Sequence, residues 1–104
     1  MSLRLRNRWK YAGDHDGDWW DWEVFLDDFG SGELGQVKSV DYILHPTFAN
    51  PIRQIDEPDG GFALKTGGWG DFKLKAFVHL KNGQKVKLTH DLVLKNQPIQ
   101  GVSA

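Results

Sequence analysis

The chain has 104 residues, a formal net charge of −1, 39% hydrophobic residues and no cysteine. This length is typical of one domain, since domains usually span about 50–250 residues. The small net charge argues against a general nucleic-acid binder, the lack of cysteine excludes disulfides and thiolate chemistry, and no apolar run approaches the roughly 18 residues of a membrane span. We therefore expect a soluble, cytoplasmic protein with no nucleic-acid partner and no membrane insertion.

The first predicted strand, residues 3–11, alternates leucine with arginine, which is typical of a half-buried edge strand. A turn-rich acidic loop follows it. The aspartates of this loop are Asp14, Asp16 and Asp18, which have the spacing that opens a calcium-binding loop. Calcium binding is disfavoured because Trp19 stands where such a loop needs glycine. We interpret the segment as a solvated acidic loop that can attract a cationic partner.

Alternating apolar residues predict the remaining strands. Trp22 and Val24 share one face of the second strand and are predicted core residues. An Asn-Gly turn joins the last two long strands in a hairpin. The predicted strands cover residues 3–11, 20–26, 36–44, 53–55, 62–64, 72–80 and 85–94. Seven to eight such strands predict an all-β, immunoglobulin-like antiparallel β-sandwich over residues 1–95, with a flexible tail over residues 96–104.

Two predicted loops carry large aromatic residues. Pro46 ends one strand, and Thr47 and Phe48 follow it. The second loop, residues 66–71, places Trp69 among three glycines, whose bare backbone offers N–H groups. Loops of a sandwich can cluster at one end, where they form binding sites. Two aromatic faces suit either a flat, uncharged amide through stacking or a methylated ammonium through cation–π attraction.

Catalytic chemistry is a poor fit to this sequence. His90 and Asp91 are adjacent on a predicted strand, so their side chains point to opposite faces and cannot pair with each other. The four histidines show no metal-ligand spacing, and the serines lack the surroundings of a nucleophile. We expect a non-enzymatic protein that uses no cofactor and no metal.

Three runs of the chain, V-x-Y-x-L-H-P-T-F-x-N-P-x-R, G-W-G-x-F and T-H-D-L-x-L, occur in this order. Together they resemble the YEATS domain family over roughly residues 20–94, and most closely its compact prokaryotic versions. The resemblance implies the same immunoglobulin-like sandwich. It also implies a reader of acylated lysine that holds the acyl group in an aromatic slot.

The resemblance further implies roles for individual residues of the two loops. Phe48 and Trp69 match the two walls of the slot. Thr47 matches a position usually held by serine, whose hydroxyl bonds the acyl amide. Gly68 and the backbone N–H of Trp69 match the loop that donates to the acyl carbonyl, and Gly70 completes that loop.

Other implied site residues lie outside the walls. His45 matches a histidine that supports the first loop, and Asp91 matches an acid that pairs with an arginine near the lysine in histone-reading members. Those members have an aromatic residue two positions before the equivalent of Trp20, where this chain has Asp18. Trp19 is the candidate replacement for that wall.

The sequence therefore predicts a non-enzymatic binding module of YEATS type. Its predicted partner is an acylated-lysine peptide, or a small acyl ligand, held between the LHPTF and GGWG loops. The main alternative is an immunoglobulin-like interaction or assembly domain of a signalling protein, whose loop aromatics contact a protein partner. Carbohydrate binding through Trp19 and Trp69 is a third alternative.

Overall fold

The computed structural model describes residues 3–13 and 17–103. The strands are β1 (Arg4–Tyr11), β2 (Trp20–Asp27), β3 (Val37–Ile43), β4 (Ile52–Ile55), β5 (Leu64–Gly68), β6 (Lys73–Leu80), β7 (Lys85–Asp91) and β8 (Gln100–Val102). They form two antiparallel sheets, ordered β5–β2–β1–β8 and β4–β3–β6–β7. The predicted all-β sandwich of seven to eight strands is confirmed.

Two short helical segments interrupt the strands. A 3₁₀ turn covers Glu33–Gln36, and a four-residue turn, α1, covers Asp59–Phe62, where Gly60, Gly61 and Phe62 have left-handed φ values of 66°, 82° and 56°. Each has four residues, so the described part of the chain contains no helix that is long and apolar enough to cross a membrane.

The core lies between the sheets, because alternation turns one face of each strand inward. Trp22 and Val24 are buried, as predicted. Tyr42 of β3 is also buried, and its O–H donates to the carbonyl of Phe62 at 2.7 Å. Burial raises the pKa of Tyr42, with the charge of Glu23 adding to the effect. This hydrogen bond ties β3 to the turn before β5.

The second aromatic loop is shorter than predicted. Gly67 and Gly68 belong to β5, where Gly68 pairs with Trp20 of β2. Glycine fits closely at Gly67, because a β-carbon there would lie 3.0 Å from Nε1 of Trp19 and 3.0 Å from the Trp20 carbonyl oxygen, so these neighbours would have to move slightly. The predicted loop over residues 66–71 was therefore wrong for Gly67 and Gly68. Glycine usually weakens a strand, and where it does occur in one it often marks a place where another group approaches the backbone closely.

Gln100–Val102 forms strand β8, so the predicted flexible tail over residues 96–104 is wrong for these three residues. The pairing of β8 with β1 also makes β1 an interior strand instead of the predicted edge strand. Trp9 covers Gly101, the Ser103 N–H donates to the Asn7 carbonyl at 2.7 Å, and the Asn7 N–H donates to Ser103 Oγ at 2.8 Å. No local pattern predicts this strand, because its partner lies about 90 residues earlier in the chain.

A buried polar cluster joins β1 to the end of β7. Asn7 is fully buried, and its Oδ1 accepts hydrogen bonds from His90 Nε2 at 2.7 Å and from the Val93 N–H at 3.0 Å. Its Nδ2 donates to the Val93 carbonyl at 2.7 Å. Burial lowers the pKa of His90, and the neighbouring Asp91 opposes this effect only in part.

We expect the stability of the domain to fall in mild acid because of His90. The unfolded chain binds a proton at His90 near pH 6.5, whereas the folded chain does so only at a lower pH. The free energy of unfolding should therefore be highest above about pH 6.5 and decline as the pH falls from there through the folded-state pKa. Urea denaturation at a series of pH values between about 5 and 8 measures this decline.

The control is His90→Gln, whose amide N–H can still donate to Asn7 but does not titrate. This variant should show a flatter pH dependence than the wild type. Parallel curves for the two proteins would show that His90 does not cause the decline.

Candidate functional site

A narrow cleft of about 70 Å³ opens at one end of the sandwich, between the loop after β3 and the loop that joins β5 to β6. Six of the predicted site residues line it: His45, Thr47, Phe48, Gly68, Trp69 and Gly70. Asp71 and Phe72 complete its lining. We call this set of eight residues the end cleft. A water molecule occupies about 30 Å³ in the liquid, so the end cleft suits a flat group of only a few heavy atoms.

Packed aromatic rings form the closed side of the end cleft. The ring of Phe48 lies 5.6 Å from that of Phe72 and 6.3 Å from that of Trp22, the latter edge-on at 80°. Phe72 also contacts Trp22 and His45, with ring centroids 6.0 Å apart in both pairs. Phe48 is therefore half-buried and held in place. Phe72 was predicted only as the first residue of a strand, and its place in the cleft could not be read from alternation.

Trp69 forms the open side of the end cleft. Its side chain is 70% exposed, on the two-residue bend directly after β5. Gly68, just before it, is buried, and a β-carbon there would lie 3.5 Å from the Phe48 ring. The missing side chain of Gly68 thus leaves room between one fixed aromatic wall and one exposed aromatic side chain.

The geometry of the first loop orients the Thr47 hydroxyl. The Thr47 N–H donates to His45 Nδ1 at 3.3 Å, which identifies that nitrogen as an acceptor. The Thr47 hydroxyl lies 2.9 Å from the same nitrogen and so donates its proton to it. The hydroxyl oxygen keeps its lone pairs for an N–H donor in the end cleft. His45 thus fixes the direction in which the Thr47 hydroxyl donates its proton, in addition to supporting the loop.

Arg53 holds the same loop from β4, a role that sequence reasoning missed. Its Nε donates to the Asn50 carbonyl at 2.7 Å, and a terminal nitrogen donates to the Ala49 carbonyl at 2.8 Å. Asn50 has a φ of 51°, a left-handed conformation that asparagine tolerates better than most residues. In the sequence, the N-P-x-R run could have indicated this role, because it places an arginine, with its five N–H donors, just after the turn.

Trp19 does not line the end cleft, although it was the candidate replacement for one wall, and Asp91 lies outside the cleft. Trp19 packs over Gly67 on the outer face of β5, because neighbouring residues of a strand point to opposite faces, and its Nε1 donates to Asp21 at 3.3 Å. Asp91 pairs across the strands with Lys73. It borders a neighbouring depression that shares Asp71 and Phe72 with the end cleft. Asp91 can therefore meet only a flanking part of a ligand.

The calcium alternative rests on Asp14 and Asp16, which lie outside the described residues. Asp18, the third aspartate, accepts a hydrogen bond from the Tyr11 hydroxyl at 2.6 Å. Within residues 3–13 and 17–103, no group of three or more His, Asp and Glu side chains is placed to hold a metal ion.

The fold is an immunoglobulin-like sandwich with an aromatic cleft between two loops at one end. Residues 20–93 match the family model of the prokaryotic YEATS domain. The chain belongs to the YEATS family.

Curated relatives are longer proteins. The Protein AF-9 homolog of Yarrowia lipolytica is 40% identical over 65 residues, which cover 60% of this chain and 31% of the relative. The Transcription initiation factor TFIID subunit 14 of Schizosaccharomyces pombe is 44% identical over 43 residues, which cover 41% of this chain and 17% of the relative. The chain thus spans about a third or less of the curated relatives it matches.

Solved structures show the same fold. The Yaf9 YEATS domain bound to H3K27ac superimposes with a TM-score of 0.74 at 24% identity, over 97% of this chain and 78% of that one. The Yaf9 YEATS domain recognizing an H3K122suc peptide superimposes with a TM-score of 0.68, also at 24% identity, over 97% of this chain and 79% of that one.

The two aromatic walls should differ in what they contribute to stability. Trp69→Ala should change the free energy of unfolding by less than about 0.5 kcal/mol, because the side chain is mostly exposed. Phe48→Ala should cost about 1.5–3 kcal/mol, since it removes a half-buried ring from the packing against Trp22 and Phe72. Denaturant unfolding of both variants measures the difference. A cost for Trp69→Ala equal to that of Phe48→Ala would place Trp69 in the core.

Proposed function

We propose that the chain is a non-enzymatic YEATS reader that binds an acylated lysine side chain, or a related small acyl amide, in the end cleft. The observation that supports this proposal is the convergence of two aromatic side chains, an oriented hydroxyl and a glycine-flanked backbone segment on one narrow cleft. The family adds support, since a relative, the Yaf9 YEATS domain, has been solved bound to H3K27ac.

In the proposed complex each part of the acyl amide has one partner. The flat amide lies between the faces of Phe48 and Trp69, where stacking and loss of water favour it. The amide N–H donates to the Thr47 hydroxyl oxygen, whose own proton is engaged by His45. The backbone N–H of Trp69 donates to the acyl carbonyl. Each such neutral hydrogen bond contributes about 1 kcal/mol net.

The same arrangement discriminates against unmodified lysine. A lysine ammonium has three donors and no acceptor, so it cannot accept the hydrogen bond from the Trp69 backbone. It is also strongly hydrated, and its transfer between two aromatic rings costs part of that hydration. The acyl group, by contrast, is uncharged and carries the acceptor that the loop requires.

The surroundings of the end cleft favour a cationic peptide. Asp71 lines the cleft, and Asp91 borders the adjoining depression. Exposed carboxylates of this kind contribute about 0–1 kcal/mol each and mainly guide orientation. The proposed partner is an acylated-lysine peptide with basic neighbours, and the proposed setting is the cytoplasm.

Calorimetric titration tests the proposal directly. Acetyl-, butyryl- and crotonyl-lysine peptides should bind saturably, and the unmodified peptide should not. Trp69→Ala should weaken binding by about tenfold or more, because one stacking wall and its buried area are lost. Calorimetry is preferred to fluorescence here, since this variant also removes the reporter tryptophan.

If no acylated peptide binds to the folded wild-type protein, the reader proposal fails. The loop aromatics would then be better explained as the contact surface of an immunoglobulin-like interaction domain.

A pair of alanine substitutions tests where the acyl group sits. Gly68→Ala adds a β-carbon at ordinary contact distance from Phe48, so the protein should fold but the inner end of the cleft should narrow. Acyl-peptide binding should weaken by about 10-fold or more, the usual effect of one carbon in a close-fitting pocket. Gly70→Ala is the matched control, because a β-carbon there meets nothing within 4 Å. Equal effects of the two substitutions would contradict the proposed position.

A further inference from the structure

One buried hydrogen-bond donor beside the end cleft has no acceptor within residues 3–13 and 17–103. Trp22 is 3% exposed, and its Nε1 has no hydrogen-bond partner among the described residues. The other buried tryptophans are satisfied: Nε1 of Trp9 donates to the Pro98 carbonyl at 3.4 Å, and Nε1 of Trp20 donates to the Lys95 carbonyl at 3.0 Å. An indole N–H can only donate. A buried donor without a partner is rare, because burial removes its hydrogen bond to water and no other bond replaces it.

The position of this donor connects it with the end cleft. Nε1 of Trp22 lies 3.7 Å from the point that a β-carbon on Gly68 would occupy, and the tip of the Phe48 ring lies 3.5 Å from the same point. The Trp22 ring also packs edge-on against Phe48 and Phe72. Gly68, Phe48 and Phe72 all line the cleft. The orphan N–H therefore lies directly behind the inner wall.

The depth of the donor decides which part of a ligand it can meet. Thr47 and Trp69, the proposed partners of the amide, are exposed at the rim, whereas Gly68 and Trp22 are buried. An acyl amide that enters with its amide at the rim directs the distal end of its acyl chain inward. The Trp22 N–H is thus positioned for the end of the acyl chain and not for the amide.

We propose that Trp22 is a specificity-determining residue that selects short acyl groups carrying an oxygen acceptor beyond the amide carbonyl, such as a hydroxyacyl group. This inference rests on the proposed function of the end cleft. A purely aliphatic chain would leave the Trp22 N–H unpaired in a drier site, whereas a hydroxyl oxygen would accept its hydrogen bond.

The test compares two peptides with the same carbon skeleton, one carrying butyryl-lysine and one carrying 3-hydroxybutyryl-lysine in each enantiomeric form. Wild-type protein should bind the better hydroxyl enantiomer about fivefold to tenfold more tightly than the butyryl peptide, the effect expected of one buried hydrogen bond. Trp22→Phe keeps an aromatic ring but removes the donor, so the preference should disappear. Trp20→Phe, another core tryptophan of β2 whose donor faces a protein carbonyl, should keep the preference.

A second measurement uses only the wild-type protein, so it does not depend on whether a variant folds. In ¹H–¹⁵N spectra, the indole N–H resonance of Trp22 should move downfield with the hydroxyacyl peptide and much less with the butyryl peptide. Equal affinities and equal shifts with both peptides would overturn this inference while leaving the reader proposal intact. Absence of binding by both peptides, and by the acetyl peptide, would overturn both.

Discussion

The edge-on packing of Trp22 against Phe48 and Phe72 is the contact on which the site depends. Trp22 belongs to the first sheet, Phe72 precedes β6 in the second, and Phe48 comes from a loop. Three rings from three segments thus meet at one end of the sandwich. Edge-to-face aromatic pairs stabilise beyond their buried area, by about 0.5–1.5 kcal/mol each, so this contact holds the loop against the sheets.

Polar contacts also hold the loop that the aromatic rings position. Arg53 engages two carbonyls of the loop that carries Phe48, and His45 engages the hydroxyl of Thr47. The loop is therefore preorganised before a ligand arrives, which lowers the entropy cost of binding. Trp69 differs, since it is exposed on a two-residue bend and its freedom is limited mainly by the strand before it. One wall of the end cleft is fixed and the other is free to adjust.

Much of the fold and of the site could be predicted from the chain. Alternation identified Trp22 and Val24 as core residues, and the Asn-Gly turn marked the β6–β7 hairpin, which is present. The first loop was located correctly because proline interrupts strand pairing, whereas the second was located only in part, since β5 extends through Gly68. Six residues of those loops do line one cleft. The failures have a common origin: β8 depends on a partner far away in sequence, and Gly67 and Gly68 pair with β2, which lies far earlier in the chain.

By itself the sequence determined the local quantities: which residues face inward, where strands end, and which side chains can stack or donate. These follow from backbone sterics and side-chain chemistry, and they act within a few residues. Only the tertiary structure decided which groups meet. It put Phe72 in the end cleft, placed Trp19 on the outer face of β5 and Asp91 beside a neighbouring depression, and left the N–H of Trp22 without a partner in the described part of the chain. Such outcomes depend on the register and packing of distant strands, which are set by contacts across the whole sandwich and leave no periodic trace in the chain.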